Sequence, residues 1–275
     1  MSGEGAVRVA VVQTAPRLGE REANLADIAD HARAAAADLA VFPELATCGY
    51  AFGAREAVAD LAERPGGSPG LDALQALAEE TGGALVVGMP LAEGGRLHNA
   101  AALLRPGAEP VFYRKLHLFY REPELFDPGD APPAVHEFRG LRLGLMICFD
   151  WIFPELARHL ALAGADLIAQ PANLVLTLCQ DAMVTRAVEN RVWTLTANRV
   201  GEERFPDGEA LRFTGASQLV DPRGRRVLNL PGDAPAMDAA DVDPAAARDK
   251  MVTARNHVLD DRRPALYRSL VAEDQ

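Results

Sequence analysis

Lysine is nearly missing from this 275-residue chain: Lys115 and Lys250 are the only two among 28 basic residues. Positive charge has gone to arginine throughout, so a lysine kept inside the apolar and aromatic segment FYRKLHLFY asks for a chemical reason. Cysteine is scarce as well. Cys48, Cys148 and Cys179 are too few and too scattered for a disulfide framework or a zinc cluster. No apolar run approaches the roughly 20 residues that cross a bilayer. The start, MSGEGAVRVAVVQTA, lacks the basic and then apolar order of a secretory leader. A surplus of basic charge is absent too. The net charge of −11 excludes the basic surface that nucleic acid and acidic membranes require. The expected setting is a reducing cytoplasm in which thiols stay free.

Hydrophobic residues make up 49% of the chain and charged residues 24%, enough for a large core. One α/β domain spanning 1–275 is expected. VRVAVVQ (7–13) and DLAVFPE (38–44) read as buried strands, with an alanine-rich helix over 21–36 between them. The stretch around ERPGGSPG (63–70) reads as helix, turn, helix. GALVVGMP (83–90), RLHNAAALL (96–104) and PVFYRKLH (110–117) follow as strands, and REPELFDPGDAPP (121–133) as a proline-rich loop. LRLGLMICF (141–149) is a strand ending at a cysteine, before a helix over 153–165. DLIAQPAN (166–173) is a strand, 180–191 a helix, and WTLTANRVG, ASQLVD and RRVLNL (193–230) are strands. A small helix follows Pro244, and the region from about 244 to 275 reads as a polar C-terminal arm. Strands alternating with helices, then strands in succession, imply a layered α/β sandwich.

Each chemically interesting residue has a bland reading beside the functional one. Cys148, in MICFDWIFPE, sits between a strand and a helix start, where backbone N–H groups stabilise a thiolate and a developing oxyanion. Cysteine is also one of the most commonly buried inert residues. Glu44 ends an apolar strand and is either a structural acid or a general base. Lys115 either snorkels to solvent or holds a cation over a reacting carbon–nitrogen group. Glu122, taken alone, is an exposed loop acid. Cys48 and Cys179 read as core or pocket-lining residues. Gly66-Gly67-Ser68-Pro69-Gly70 matches the serine-hydrolase elbow G-x-S-x-G, but it lacks the strand that such an elbow follows. The six histidines show no H-E-x-x-H spacing. His117 is the candidate base of a Cys–His enzyme, an alternative under which Lys115→Ala is mild and His117→Ala severe.

In the order Glu44, Lys115, Glu122, Cys148, the chain resembles the nitrilase superfamily of carbon–nitrogen hydrolases. The matching stretches are VFPELATCGY, YRKLHLF, REPELFDPGD and GLMICFDWIFPELAR, with HNAAALL, DLIAQPAN, RAVENRVWTLTANRVG and DDRRPALY in support. The resemblance implies a four-layer αββα sandwich, two mixed sheets flanked by helices, usually paired into homodimers. It makes Cys148 the nucleophile, Glu44 the general base, Lys115 the oxyanion-stabilising cation and Glu122 a positioning glutamate. Phe149 (through its N–H), Trp151, Ile152, Asn173 and Tyr50 are then the substrate-binding and oxyanion candidates. No metal or organic cofactor has a role, and the partner is a small amide, carbamoyl compound or nitrile. Cys148-Phe149-Asp150 departs from the Cys-Trp-Glu of nitrile hydrolysers, which favours the amide branch, with N-carbamoylputrescine amidohydrolases the nearest match. Members that bind a substrate carboxylate tend to carry arginine where Ile152 stands. Arg186 and Arg199 are the candidates to replace it. A non-catalytic binding member of the fold is the remaining alternative.

Overall fold

The computed structural model describes residues 5–270, so the outermost ends of the chain, including 271–275 of the expected arm, lie outside it. In chain order the first half runs β1 (Val7–Gln13), α1 (Arg21–Ala35), β2 (Leu39–Val41), α2 (Arg55–Ala59), α3 (Pro69–Thr81), β3 (Ala84–Glu93), β4 (Arg96–Arg105) and β5 (Ala108–Arg114). Then come α4 (Glu122–Leu125), β6 (Val135–Phe138), β7 (Leu141–Leu145), a 3₁₀ turn (Cys148–Ile152), α5 (Pro154–Leu162), β8 (Leu167–Ala172) and α6 (Cys179–Asn190). The last part holds β9 (Trp193–Asn198), β10 (Val200–Arg204), β11 (Ala210–Thr214), β12 (Gln218–Val220), β13 (Arg226–Asn229), β14 (Ala236–Val242) and α7 (Pro244–Arg248).

Two six-stranded mixed sheets result, ordered β14-β1-β2-β3-β4-β5 and β13-β12-β9-β8-β7-β6. Each has three parallel strands in a row, β1-β2-β3 and β7-β8-β9, with antiparallel neighbours outside them. Side chains alternate across a strand, so strands buried on both faces read as continuous apolar runs. In β1, Val7, Val9 and Val11 enter the core shared with Leu143, Leu145, Leu167 and Leu195 of the other sheet. Ala10 and Val12 of the same strand pack outward under Ile28 of α1 and Leu74 of α3. On the far side, Leu156 and Leu160 of α5 and Met183 of α6 cover the second sheet. The order of layers is helix, sheet, sheet, helix: the αββα sandwich.

Several boundaries differ from the sequence reading. The strand expected over 110–117 stops at Arg114, and that over 141–149 stops at Leu145, leaving Lys115 and Cys148 in the turns that follow. The loop expected over 121–133 contains the helical turn α4, begun by Pro123 near its N-terminus. β14 has no expected counterpart. AMDAADV carries acids at 238 and 241 because it is an edge strand, half exposed, pairing only with β1. β10 and β11 form a separate antiparallel hairpin rather than continuing β9.

The G-x-S-x-G match is a helix entry. Ser68 precedes α3; its hydroxyl donates to Glu63 Oε2 at 2.5 Å and accepts from the Arg64 N–H at 3.1 Å. Glu63 Oε2 in turn accepts from Leu71 N–H in the first turn of α3. Ser68→Ala is expected to cost about 1–2 kcal/mol of stability, the usual net worth of a hydrogen bond to a charged group such as Glu63, and to leave turnover unchanged. Thermal melts and an activity assay on the same preparation check both.

Candidate active site

The parallel strands aim their carboxyl ends at one edge of the sandwich, the edge where α/β sheets gather ligands. Glu44 follows β2, Cys148 follows β7 and Asn173 follows β8, while Lys115 follows the antiparallel β5. Glu44 reaches its place only because residue 88 in β3 is glycine. A Cβ there would sit 2.4 Å from Pro43 O and 2.5 Å from Glu44 Cα.

Lys115 is the hub. Its side chain is 0% exposed, and Nζ donates to Glu44 Oε1 and to Glu122 Oε1, each at 2.7 Å. Glu44 Oε1 also accepts from Asn99 Nδ2 at 2.7 Å. Glu44 Oε2 is buried and has no hydrogen-bond partner among the described residues. Glu122 Oε1 accepts from Tyr50 OH at 2.9 Å, and Oε2 from the Phe119 N–H at 3.1 Å. Glu122, which taken alone reads as an exposed loop acid and through the resemblance as a positioning glutamate, is 2% exposed, held inward by α4. Burial raises the Glu122 carboxyl to about 7, against the pull of Lys115. Burial alone would push the Lys115 ammonium down, but Glu122 and Glu44 outweigh it and keep it charged.

Cys148 sits at φ +41°, a left-handed conformation that a side chain adopts at a cost. Two contacts impose it. Gln170 Nε2 donates to the Cys148 carbonyl at 2.9 Å, and Asp150 Oδ2 accepts from the Ile147 N–H at 2.8 Å. Burial, and then the Glu44 charge, raise the thiol well above its ordinary range, while Lys115 pulls it back. The resting sulfur is therefore a thiol. Asp150 is a residue that the sequence reading passed over. Fully buried, it also accepts from Tyr113 OH at 2.7 Å and His117 Nδ1 at 2.7 Å. It joins the end of β5 to the turn that carries Cys148. His117 Nδ1 is bonded to Asp150 and the ring stacks on Phe153 with centroids 3.7 Å apart; among the described residues no hydrogen bond joins it to Cys148, and it does not line the cavity onto which Cys148 opens, so nothing in the geometry supports the Cys–His alternative.

A narrow cavity opens onto Cys148, lined by Phe119, Phe149, Trp151, Asn173, Leu174, Val175 and Leu176. Asn173 is its one side-chain amide, and both amide atoms are buried without a hydrogen-bond partner among the described residues. Phe149, Trp151 and Asn173 thus line the cavity, and two other substrate-binding candidates do not. Ile152 turns outward, 43% exposed, at the end of the 3₁₀ turn. Tyr50 lies behind Glu122 rather than on the cavity wall. Neither arginine replaces the missing one at 152. Arg199 is buried against Glu203 and Pro16 O, and Arg186 is held by Trp151 O and Glu189. Cys48 and Cys179 are core residues.

The carbon–nitrogen hydrolase family model matches residues 8–250. A nitrilase of Pyrococcus abyssi is 39% identical over 265 residues, covering 95% of this chain and 99% of that one. An (R)-stereoselective amidase of a Pseudomonas species is 35% identical over 224 residues, 80% of this chain and 79% of its own. Among solved structures, an amidase from Nesterenkonia sp. superposes with a TM-score of 0.80 at 30% identity, across 98% of both chains. A variant of the Nesterenkonia sp. AN1 amidase carries the acetamide moiety of fluoroacetamide covalently at its active site cysteine. The chain belongs to the carbon–nitrogen hydrolases of the nitrilase superfamily, and it is a hydrolase.

Proposed function

We propose that this enzyme hydrolyses a small, uncharged amide through a thioester on Cys148. The observation that carries the reading is the buried cluster of Glu44, Lys115 and Glu122 beside a protonated thiol, opening on an apolar cavity. Glu44 Oε2, unpaired and buried, takes the thiol proton as Sγ attacks the carbonyl carbon. The new oxyanion is held by the Lys115 ammonium and the Phe149 N–H, which no group among the described residues accepts. Protonated Glu44 gives its proton to the departing nitrogen, and ammonia leaves a thioester. Glu44 then takes a proton from water, whose oxygen attacks the thioester. The acid is released and Glu44 returns the proton to Cys148. The covalent adduct on the Nesterenkonia amidase's cysteine supports the same nucleophile here.

No charged side chain lines the cavity, which supports an amide without a carboxylate or ammonium near the scissile bond. That favours the amide branch over N-carbamoyl amino acids. The N-carbamoylputrescine amidase of Solanum lycopersicum, 29% identical over 228 residues, keeps carbamoyl amines in the panel below. We further propose that the whole chain acts as one domain and pairs into a homodimer through its C-terminal arm, whose Leu266, Tyr267 and Leu270 are exposed.

Ammonia release from propionamide, benzamide, N-carbamoylputrescine, N-carbamoyl-β-alanine and propionitrile tests the reading. The neutral amides are expected to be the best substrates by at least tenfold in kcat/KM. Faster turnover of a charged carbamoyl compound or the nitrile would overturn the choice of substrate. Absence of turnover on all five would overturn the amidase reading.

A further inference from the structure

Tyr50 lies off the cavity and yet is fastened from three directions. Its hydroxyl donates to Glu122 Oε1 at 2.9 Å. Its backbone N–H and that of Ala51 both donate to Glu203 Oε2, at 2.8 and 2.7 Å. Its ring meets Phe213 edge-on with centroids 6.0 Å apart. Both anchors belong to the β10–β11 hairpin, outside the two large sheets. Glu203 is itself fixed by Arg199, whose guanidinium lies 4.1 Å from the Phe213 ring centroid and donates to Pro16 O at 2.9 Å. Residue 49 is glycine at φ +84° where a Cβ would stand 2.7 Å from Leu18 Cα and 3.0 Å from Glu203 Oε1. The backbone therefore leaves room for the Glu203 carboxylate to reach the two N–H groups.

We propose that Tyr50 and Glu203 form a positioning pair that sets the charge and orientation of Glu122, and through it the Lys115 ammonium. The inference rests on the amide-hydrolase reading above. Tyr50 keeps its proton to donate to the Glu122 carboxylate, because burial, then the Glu122 and Glu44 charges, hold its phenol protonated. A donor on Glu122 Oε1 favours the carboxylate over the acid. When Glu122 is ionised it shares Lys115 with Glu44. When it is protonated, Lys115 is left to Glu44 alone and ties that carboxylate more tightly, away from the thiol. The other groups facing Glu122 are few. Lys115, Glu44 and the Phe119 N–H lie within the cluster, and the Cys148 thiol lies beside it. Arg121, its chain neighbour, turns away to Asp207 and Glu209 at 2.7 Å, and Arg55 is taken by Asp127 and Leu125 O.

Tyr50→Phe keeps the ring and its Phe213 contact and deletes only the donor. Two readouts over pH 5–9 test the pair: kcat/KM for propionamide, and the rate of Cys148 alkylation by iodoacetamide, located by peptide mapping. At pH 6 the variant is expected to lose roughly tenfold in kcat/KM, the lower end of the usual worth of a hydrogen bond to a charged group, while alkylation does not slow, because protonating Glu122 removes a charge that raises the Cys148 thiol. The acid limb of the kcat/KM profile moves up by about one pH unit, so the deficit shrinks as pH rises, and the alkylation limb moves down. Glu203→Gln, which still offers an acceptor to the Tyr50 and Ala51 N–H groups, moves each limb in the same direction by less. An unshifted acid limb in Tyr50→Phe, whether the rate is lowered uniformly or not at all, overturns the proposal. Should wild type hydrolyse no amide, the reading of the function fails, and the alkylation profile still decides the role of Tyr50.

Discussion

Lys115→Met is expected to cut ammonia release by at least 10²–10³-fold, the usual consequence of losing an oxyanion donor, and to destabilise the fold at the same time. The ammonium is wholly buried between Glu44 and Glu122. Methionine matches its length but leaves two acids with no counter-charge. Breaking a buried pair in this way costs about 3–5 kcal/mol, or roughly 10 °C in melting temperature for a chain of this size. The loss depends on pH, with a definite sign. Burial already holds the Glu122 carboxyl up to about 7 with Lys115 in place, and without the cation it rises further. A carboxyl whose folded pKa is raised takes up a proton on folding, so its stabilisation is full at low pH and fades as pH climbs through the folded value. The variant should therefore lie closest to wild type near pH 5 and fall behind towards pH 8. Melts at the two pH values check this. An equal deficit at both would mean that the acids relax to solvent rather than take up protons. A mild effect on turnover would restore the Cys–His alternative.

That hub was partly legible in the sequence. With arginine used almost everywhere else, Lys115 stood out in an apolar segment, and the core strands β1, β3 and β7 announced themselves as valine- and leucine-rich runs. Glu122 was not legible on its own residues. REPELFDPGD has the composition of a solvent-exposed loop, and what buries the acid is a single helical turn together with partners 7 and 72 positions away, Lys115 and Tyr50. Asp150 was hidden for the same reason. Its carboxylate ties residues 113, 117 and 147, and only the pairing of two sheets brings these together. β14 was missed because an edge strand needs only a weak apolar face, and its acids look like loop. The misplacement of Ile152 came from treating the residues after Cys148 as consecutive wall. In a 3₁₀ turn with about three residues per turn, neighbours point in different directions: Phe149 and Trp151 line the cavity while Ile152 faces solvent.

Cys148→Ala should separate chemistry from folding in the way that Lys115→Met does not. On the proposed mechanism no thioester forms without Sγ, and kcat is expected to fall by about 10⁴ or more, the scale seen when a covalent catalyst loses its attacking atom. Stability should change by no more than about 1 kcal/mol, the range for deleting one small buried group. Three features argue for that. Alanine pays the same left-handed backbone cost at φ +41° as cysteine does. The contacts that impose the turn, from Gln170 to the residue 148 carbonyl and from the Ile147 N–H to Asp150, involve no sulfur. The thiol is also uncharged at rest, since burial and Glu44 hold its proton on, so no ion pair is lost. Removing Sγ relieves Glu44 and Glu122 of a neighbour that would repel them if it ionised. Intact-mass spectra of wild type quenched during turnover should show a fraction heavier by the acyl group, absent from Cys148→Ala. Ammonia release that survives in the alanine variant would mean that water, activated by Glu44, attacks the amide directly, and the Glu44–Lys115–Glu122 cluster would then be the whole catalytic device.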